Sequence, residues 1–192
     1  MHLAFTPTKR GGGVYINGDS ATIQKVERLL TRTAIESHIC DDNGMCMTLS
    51  RYFEKKDDVV DWITLITGIA ALRGSLGYRL SRENHALLCL LEYEISEALC
   101  KPPMKLSKDV VEHILDSLHG ISDQFGGEKI ESRMVYLYLL KTPSARKKEL
   151  VNILVSIVPA LQILDKGYSL RFQELNRYLL EYPAGTEFKY EL

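Results

Sequence analysis

The sequence predicts a single, mainly helical α+β domain with about six core helices and a small N-terminal β-hairpin. Apolar residues recur at helical intervals through most of residues 20–182, but near the N-terminus they alternate with other residues. A chain of 192 residues with 45% hydrophobic content is also long enough to bury one core without disulfides or metals. We therefore treat residues 1–192 as one domain.

The N-terminal alternation covers residues 3–8 and 14–17, so we interpret residues 1–17 as a β-hairpin. Lys9 and Arg10, followed by Gly11-Gly12-Gly13, form a flexible turn with two exposed cations. An isolated hairpin is marginally stable, so we expect a third strand at residues 186–192. Its apolar face carries Phe188, Tyr190 and Leu192.

The helical core, residues 20–182, consists of segments with apolar stripes and recognisable capping residues. Asp19 or Ser20 caps the first helix, whose stripe ends at Ala34, and Ser81 caps a helix over residues 82–100. Residues 59–72 predict a buried helix, and residues 145–165, capped by Ser144, predict the central core helix. The remaining helices are expected from residue 108, at residues 168–182 and, with a strand as the alternative, at residues 130–140.

The near-zero net charge argues against a protein that attracts polyanions through its overall electrostatic field. Lys and Arg total 24 against 25 for Asp and Glu, a net charge of -1. No apolar run reaches about 18 residues, so we expect no transmembrane helix. No secretory leader is visible and the four cysteines read as reduced thiols, so we expect a cytoplasmic protein.

Residues 38–57 are the least regular part of the sequence, and we expect a surface excursion there. Within it His38, Cys40 and Cys46 offer soft metal ligands. Zinc prefers four ligands, commonly in close Cys-x-x-Cys pairs, and no such pair is present. A loop with incidental thiols is therefore the favoured interpretation, and a zinc site is the alternative.

No motif indicates a cofactor, and none commits the chain to a reaction. A strand follows Gly11-Gly12-Gly13 and the Gly-Lys-Ser/Thr of a phosphate loop is absent, so we expect no cofactor. An enzyme or small-ligand binder stays as an alternative. Its pocket would lie between the hairpin and the helix 82–100 and would use Asp19, Tyr93 and Glu94.

The last predicted helix interleaves aromatic and cationic residues, a combination found in partner-binding surfaces. We therefore expect a non-catalytic interaction protein that self-associates as a homo-oligomer or binds another protein. The candidate surface consists of Tyr168, Arg171, Phe172, Arg177 and Tyr182.

A nucleic-acid-binding regulator is a further alternative, because a local basic patch can exist without a high net charge. In that case Lys9, Arg10, Arg171 and Arg177 would contact the nucleic acid.

Two short N-terminal motifs resemble known sequences. They are Thr6-Pro7 and the later run Gly13-Val14-Tyr15-Ile16-Asn17-Gly18-Asp19. They resemble the opening of a group of small, uncharacterised bacterial and phage proteins, which begin with Thr-Pro and continue Gly-Val-x-Ile-x-Gly-Asp. A second similarity is Leu91-Glu92-Tyr93-Glu94-Ile95, although Ser96-Glu97 stands where that group has a basic residue. The resemblance covers about a quarter of the chain. It implies a strand–turn–helix start and a bacterial or phage origin, and no activity.

Overall fold

The computed structural model describes residues 1–36, 44–55, 58–76, 81–117, 133–134, 136–137, 140 and 142–157. These residues form a three-stranded antiparallel sheet and six helices, and residues 133–134 and 136–137 are also helical. The prediction of a mainly helical α+β fold is confirmed. In chain order the elements are β1 (Leu3–Pro7), β2 (Gly13–Gly18), α1 (Ser20–Glu36), α2 (Met45–Glu54), β3 (Val59–Asp61), α3 (Trp62–Leu76), α4 (Arg82–Cys100), α5 (Lys108–Ser117) and α6 (Pro143–Ile157).

The N-terminal hairpin forms as predicted. β1 pairs antiparallel with β2, with Phe5 opposite Ile16 and Thr6 opposite Tyr15. Phe5 and Ile16 are buried under the helices, whereas Thr6 and Tyr15 face solvent. This alternation is the one that the period-two pattern of the sequence predicts.

The third strand in the described part of the chain is β3, which pairs with the other edge of β2. The predicted helix over residues 59–72 is therefore wrong at its start. Val59 and Val60 are β-branched and pair with β2, and the Asp61 carboxylate accepts the Thr64 N–H (2.9 Å), which caps α3. The predicted strand at residues 186–192 lies outside the described residues.

The predicted surface excursion over residues 38–57 is wrong at residues 45–54, which form α2. Met45, Leu49 and Phe53 are buried along one face of this helix, while Arg51 and Glu54 are exposed on another. The charged residues concealed a helical period in the sequence. Residues 37–43 lie outside the described residues.

Helix α3 is the central helix of the described core. Every residue from Trp62 to Leu72 is buried, and the helix packs against α1, α2 and α4. It extends beyond the predicted end at residue 72, continues through Gly74 and ends at Leu76. Although α3 is strongly apolar, none of the described helices is both long and apolar enough to cross a membrane.

Helix α4 has the bounds and the Ser81 cap that the sequence predicts. The Ser81 hydroxyl accepts the Asn84 N–H (3.1 Å) at its start. The helix packs along β1 and against α3 and α5. Its buried stripe consists of Leu87, Leu88, Leu91, Ile95, Ala98 and Leu99.

Helix α6 differs from its prediction in its cap and in its place in the core. Thr142, not Ser144, accepts the Ala145 N–H (3.2 Å). Pro143 therefore occupies the first helical position, where its missing N–H costs no hydrogen bond. Ser144 and Lys148 are exposed, so the described part of α6 lies at the edge of the core.

The packing of α2 on α3 requires a glycine at position 68. A Cβ atom there would lie 2.7 Å from Leu49 Cδ2 and 2.9 Å from Leu49 Cβ. We therefore expect Gly68→Ala to lower the free energy of unfolding by about 1–3 kcal/mol through overpacking, as measured by urea denaturation.

Gly74→Ala is the matched control, because Gly74 lies in the same helix and is exposed. Alanine favours helix over glycine, so this variant should be as stable as the wild type or more stable by up to about 1 kcal/mol. Equal destabilisation by both substitutions would contradict the proposed contact with Leu49.

Candidate functional site

Three segments that are distant in sequence meet at one end of the molecule. They are the hairpin turn, the connection between α4 and α5, and the start of α6. Gly11 marks the meeting point, because a Cβ atom there would lie 3.1 Å from Pro103 Cγ, 3.2 Å from Met104 Sδ and 3.7 Å from Pro143 Cβ. Gly11 also has a φ of +69°, which disfavours other residues.

Hydrogen bonds from the hairpin itself and from α3 fix the backbone of the hairpin turn. The sequence, in contrast, predicts a flexible turn because of its glycines. The Thr8 hydroxyl accepts the N–H groups of Gly12 (3.2 Å) and Gly13 (3.4 Å). From α3, the Trp62 indole N–H donates to the Gly11 carbonyl (3.2 Å), and its backbone N–H donates to the Gly12 carbonyl (3.2 Å). The turn therefore presents its side chains from a fixed backbone.

Arg146 joins α6 to this turn from the interior. Its side chain is 3% exposed, and its guanidinium donates to the carbonyl oxygens of Arg10 (3.0 Å) and Leu140 (2.8 Å). Hydrogen bonds from a charged donor are stronger than neutral ones. Arg146 thus fixes the start of α6 beside the backbone of Arg10.

The connection between α4 and α5 is fixed in a similar way. The Lys105 N–H donates to the Lys101 carbonyl (3.0 Å), and the Leu106 N–H donates to the Leu99 carbonyl (3.0 Å). The Lys147 ammonium then donates to the Lys105 carbonyl (2.9 Å), which connects α6 to this loop.

We call residues 8–13, 101–109 and 142–149 together the cationic end. They contain eight Lys and Arg residues and two carboxylates, Asp109 and Glu149, for a net charge of +6. Because the whole chain carries -1, the remaining residues carry -7. Helices α5 and α6 also begin here, and the positive ends of their dipoles add positive potential. The exposed cations are Lys9, Arg10, Lys101, Lys105, Lys108 and Lys148.

The residues predicted to line a ligand pocket occupy separate structural roles. Asp19 caps α1: its carboxylate accepts the N–H groups of Thr22 (2.8 Å) and His2 (2.6 Å), and these hydrogen bonds lower its pKa to about 2. On α4, Tyr93 is 59% exposed and Glu94 is half-buried. Among the described residues no hydrogen bond or ion pair joins Asp19 to Tyr93 or Glu94.

Of the three predicted metal ligands, the structure describes Cys46 alone. Cys46 is buried in α2, with its sulfur 4.0 Å from the Gly68 carbonyl oxygen. His38 and Cys40 lie outside the described residues, as does the predicted interaction surface of Tyr168, Arg171, Phe172, Arg177 and Tyr182. Within the described ranges, no group of three or more His, Cys, Asp or Glu residues could hold a metal ion.

A cleft of about 330 Å³ has the opposite charge to the cationic end. Its walls are Arg73, Glu92, Glu112, Leu115 and Asp116. Arg73 donates to both carboxylate oxygens of Glu92, and this contact raises the pKa of the guanidinium. Glu92 is thus paired with Arg73.

The buried carboxyl group of Asp61 has a hydrogen-bond partner for only one of its two oxygens. One oxygen accepts the Thr64 N–H, whereas the other, Oδ2, has no hydrogen-bond partner. Burial raises the pKa of this carboxyl. Burial, followed by the nearby carboxyl groups of Asp61 and Asp58, also raises the pKa of Tyr52 to about 12.

Asp61→Asn should stabilise the protein at neutral pH. Because the folded-state pKa of Asp61 lies above its ordinary value of 3.8, the contribution of the protonated carboxyl to stability is fully present below about pH 4 and is lost as Asp61 ionises at higher pH. The asparagine keeps the cap oxygen without the charge. Urea denaturation from pH 4 to 8 should show a gain for the variant that grows with pH.

The matched control is Asp58→Asn, an exposed neighbour whose side chain is 52% accessible. Its effect should be small, because exposed ion pairs contribute little stability. A gain for Asp61→Asn that is independent of pH would contradict the burial of an ionising carboxyl.

Arg146→Gln tests the attachment of α6 to the hairpin turn. It removes two partly buried, charge-assisted hydrogen bonds to backbone carbonyl groups, so we expect a loss of about 2–4 kcal/mol in unfolding free energy. Amide hydrogen exchange at Gly11–Gly13 should also become faster. Lys148→Gln makes the same charge change at an exposed site of α6 and should cost less than about 0.5 kcal/mol.

Sequence reasoning identified Lys9 and Arg10 but not the rest of the cationic end. Lys101, Lys105 and Lys148 stand far apart in the chain, and no local signal connects them to the turn. No protein-family model, curated protein or solved structure matches the chain.

Proposed function

We propose that the protein is a non-catalytic binding protein whose cationic end contacts the phosphate backbone of a nucleic acid. One observation carries the proposal: three distant segments bring a net charge of +6 together in a chain whose total charge is -1. A field of this sign attracts polyanions and increases their rate of encounter. The overall charge argues against such a partner, but the local charge favours it.

The type of cationic side chain at this end favours contact with phosphate groups over contact with base edges. Six of the eight cations are lysines, with Arg10 and Arg146 as the arginines. Lysine ammonium groups are point charges that pair with phosphates without reading sequence. The positive dipole ends of α5 and α6 also favour phosphate groups at the same end. We therefore expect binding that depends little on base sequence.

The fixed backbone of the cationic end favours tight binding of a nucleic acid. Arg146, Trp62 and Thr8 hold the segments that carry the exposed cations, so little main-chain ordering is needed on binding. Outside the cationic end, the described residues carry a net charge of -4, which repels a polyanion from their faces. These two effects favour one orientation of the protein on a nucleic acid.

The proposal selects one of the alternatives that the sequence leaves open. Lys9 and Arg10 are predicted to take part in nucleic-acid binding, and further cations surround them at this end of the molecule. The other two predicted contacts, Arg171 and Arg177, stay predictions outside the described residues. Self-association, which the sequence favours, is compatible with binding of a nucleic acid at the cationic end.

A triple charge reversal tests the proposal. Lys9→Glu, Lys101→Glu and Lys148→Glu together alter one exposed cation on each converging segment. In fluorescence anisotropy with a labelled 20-base-pair duplex, affinity at 50 mM salt should fall at least about tenfold. The slope of log K against log salt should become shallower by about 0.9 for each phosphate that the variant no longer neutralises.

The control variant makes the same charge change elsewhere: Arg28→Glu, Arg32→Glu and Lys55→Glu, all exposed. Its ion pairs, Arg32–Glu36 and Lys55–Asp58, are exposed and contribute little stability. Affinity should change far less than in the first variant. Absence of binding by the wild type at 50 mM salt, or equal reductions in both variants, would refute the proposal.

A further inference from the structure

Helix α4 carries an exposed histidine and cysteine one helical turn apart, and neither belongs to the cationic end. The His85 Nε2 atom lies 3.7 Å from the Cys89 sulfur. Both side chains are exposed, and Cys89 is a free thiol. Imidazole nitrogen and thiolate sulfur are the two ligand atoms that zinc binds most often in structural sites.

The separation of these two atoms fits a tetrahedral metal. Zinc binds sulfur at about 2.3 Å and imidazole nitrogen at about 2.0–2.1 Å, which places two tetrahedral ligands about 3.6 Å apart. The observed 3.7 Å matches this edge length. These two atoms, which are in hydrogen-bond contact, are therefore spaced to bind one ion, with release of the thiol proton to solvent.

The pair supplies only two of the four ligands that a closed zinc site needs. Glu92, one turn further along α4, is occupied because Arg73 donates to both of its carboxylate oxygens. No group of three or more ligand residues exists within the described ranges. We propose that a second copy of this chain completes the site, so that two His85–Cys89 pairs bind one zinc-class ion across a two-fold axis.

The surface around the pair suits contact between two copies of α4. Arg82, Ala86 and Tyr93 are exposed and continue the same face at intervals of three or four residues. Ala86 is small enough for close approach, and Tyr93 is 59% exposed and largely apolar. In an antiparallel arrangement centred on the pair, Arg82 of one copy lies near the ring of Tyr93 of the other, a cation–π contact.

The test uses the full-length, metal-free protein with zinc chloride as the probe. Light scattering after size exclusion should show the mass doubling on zinc addition and returning to that of the monomer with EDTA. Titration should give one zinc per two chains. Cobalt(II) in place of zinc should give thiolate-to-metal charge-transfer absorption and the intense visible bands of a tetrahedral ion.

Cys89→Ser and His85→Gln should each abolish the zinc-dependent mass change, and Cys89→Ser should also remove the charge-transfer band. Cys100→Ser and His113→Gln, on neighbouring parts of α4 and α5, should retain both signals. The double variant His38→Gln and Cys40→Ser should retain them too. Because His85 and Cys89 are exposed, unchanged circular dichroism should show that these variants fold.

Three results would overturn the inference. The first is zinc-dependent dimerisation that persists in Cys89→Ser. The second is one zinc bound per chain without any increase in mass. The third is loss of zinc binding in the His38 and Cys40 double variant but not in His85→Gln, which would assign the ion to that other pair.

Discussion

The close approach of Gly13 to the junction of β3 and α3 is the constraint on which the rest of the structure depends. A Cβ atom at Gly13 would lie 2.1 Å from the Val60 carbonyl oxygen, so only glycine lets β3 pair with β2 at this position. That pairing places Asp61 at the start of α3 and directs Trp62 towards the turn. Trp62 then binds the carbonyl groups of Gly11 and Gly12, and the cationic end forms on this support.

The sequence pattern was sufficient to predict those helices and strands that depend on interactions between residues close together in the chain. The stripe of α4 and its Ser81 cap follow from helical periodicity and side-chain hydrogen bonding within a few residues. Strand β3 could not be predicted in this way, because three residues carry too little pattern and Val60 becomes a strand residue only by pairing with β2. Helix α2 was missed because Arg51 and Glu54 hide the spacing of its buried residues.

The candidate site was less predictable than the fold, for a physical reason. Lys9 and Arg10 stood out because glycines follow them, but the other cations join them only through tertiary contacts at Gly11 and Arg146. The net charge of the sequence conceals the cationic end, since its +6 is offset by -7 in the remaining residues. Site residues that depend on long-range contacts need the fold before they can be recognised.

The proposed zinc site lies in the N-terminal half of α4, whereas the cationic end includes the residues just beyond its C-terminus. The two sites therefore do not compete for the same surface. Cys89 and Lys101 are separated by twelve residues, a distance of about 18 Å along a helix. Contact between two copies through the N-terminal half of α4 therefore leaves the lysines beyond its C-terminus accessible. A dimer of that kind would carry two cationic ends on one rigid body. Two linked sites on a single polyanion bind more tightly than either site alone, provided that both can reach it.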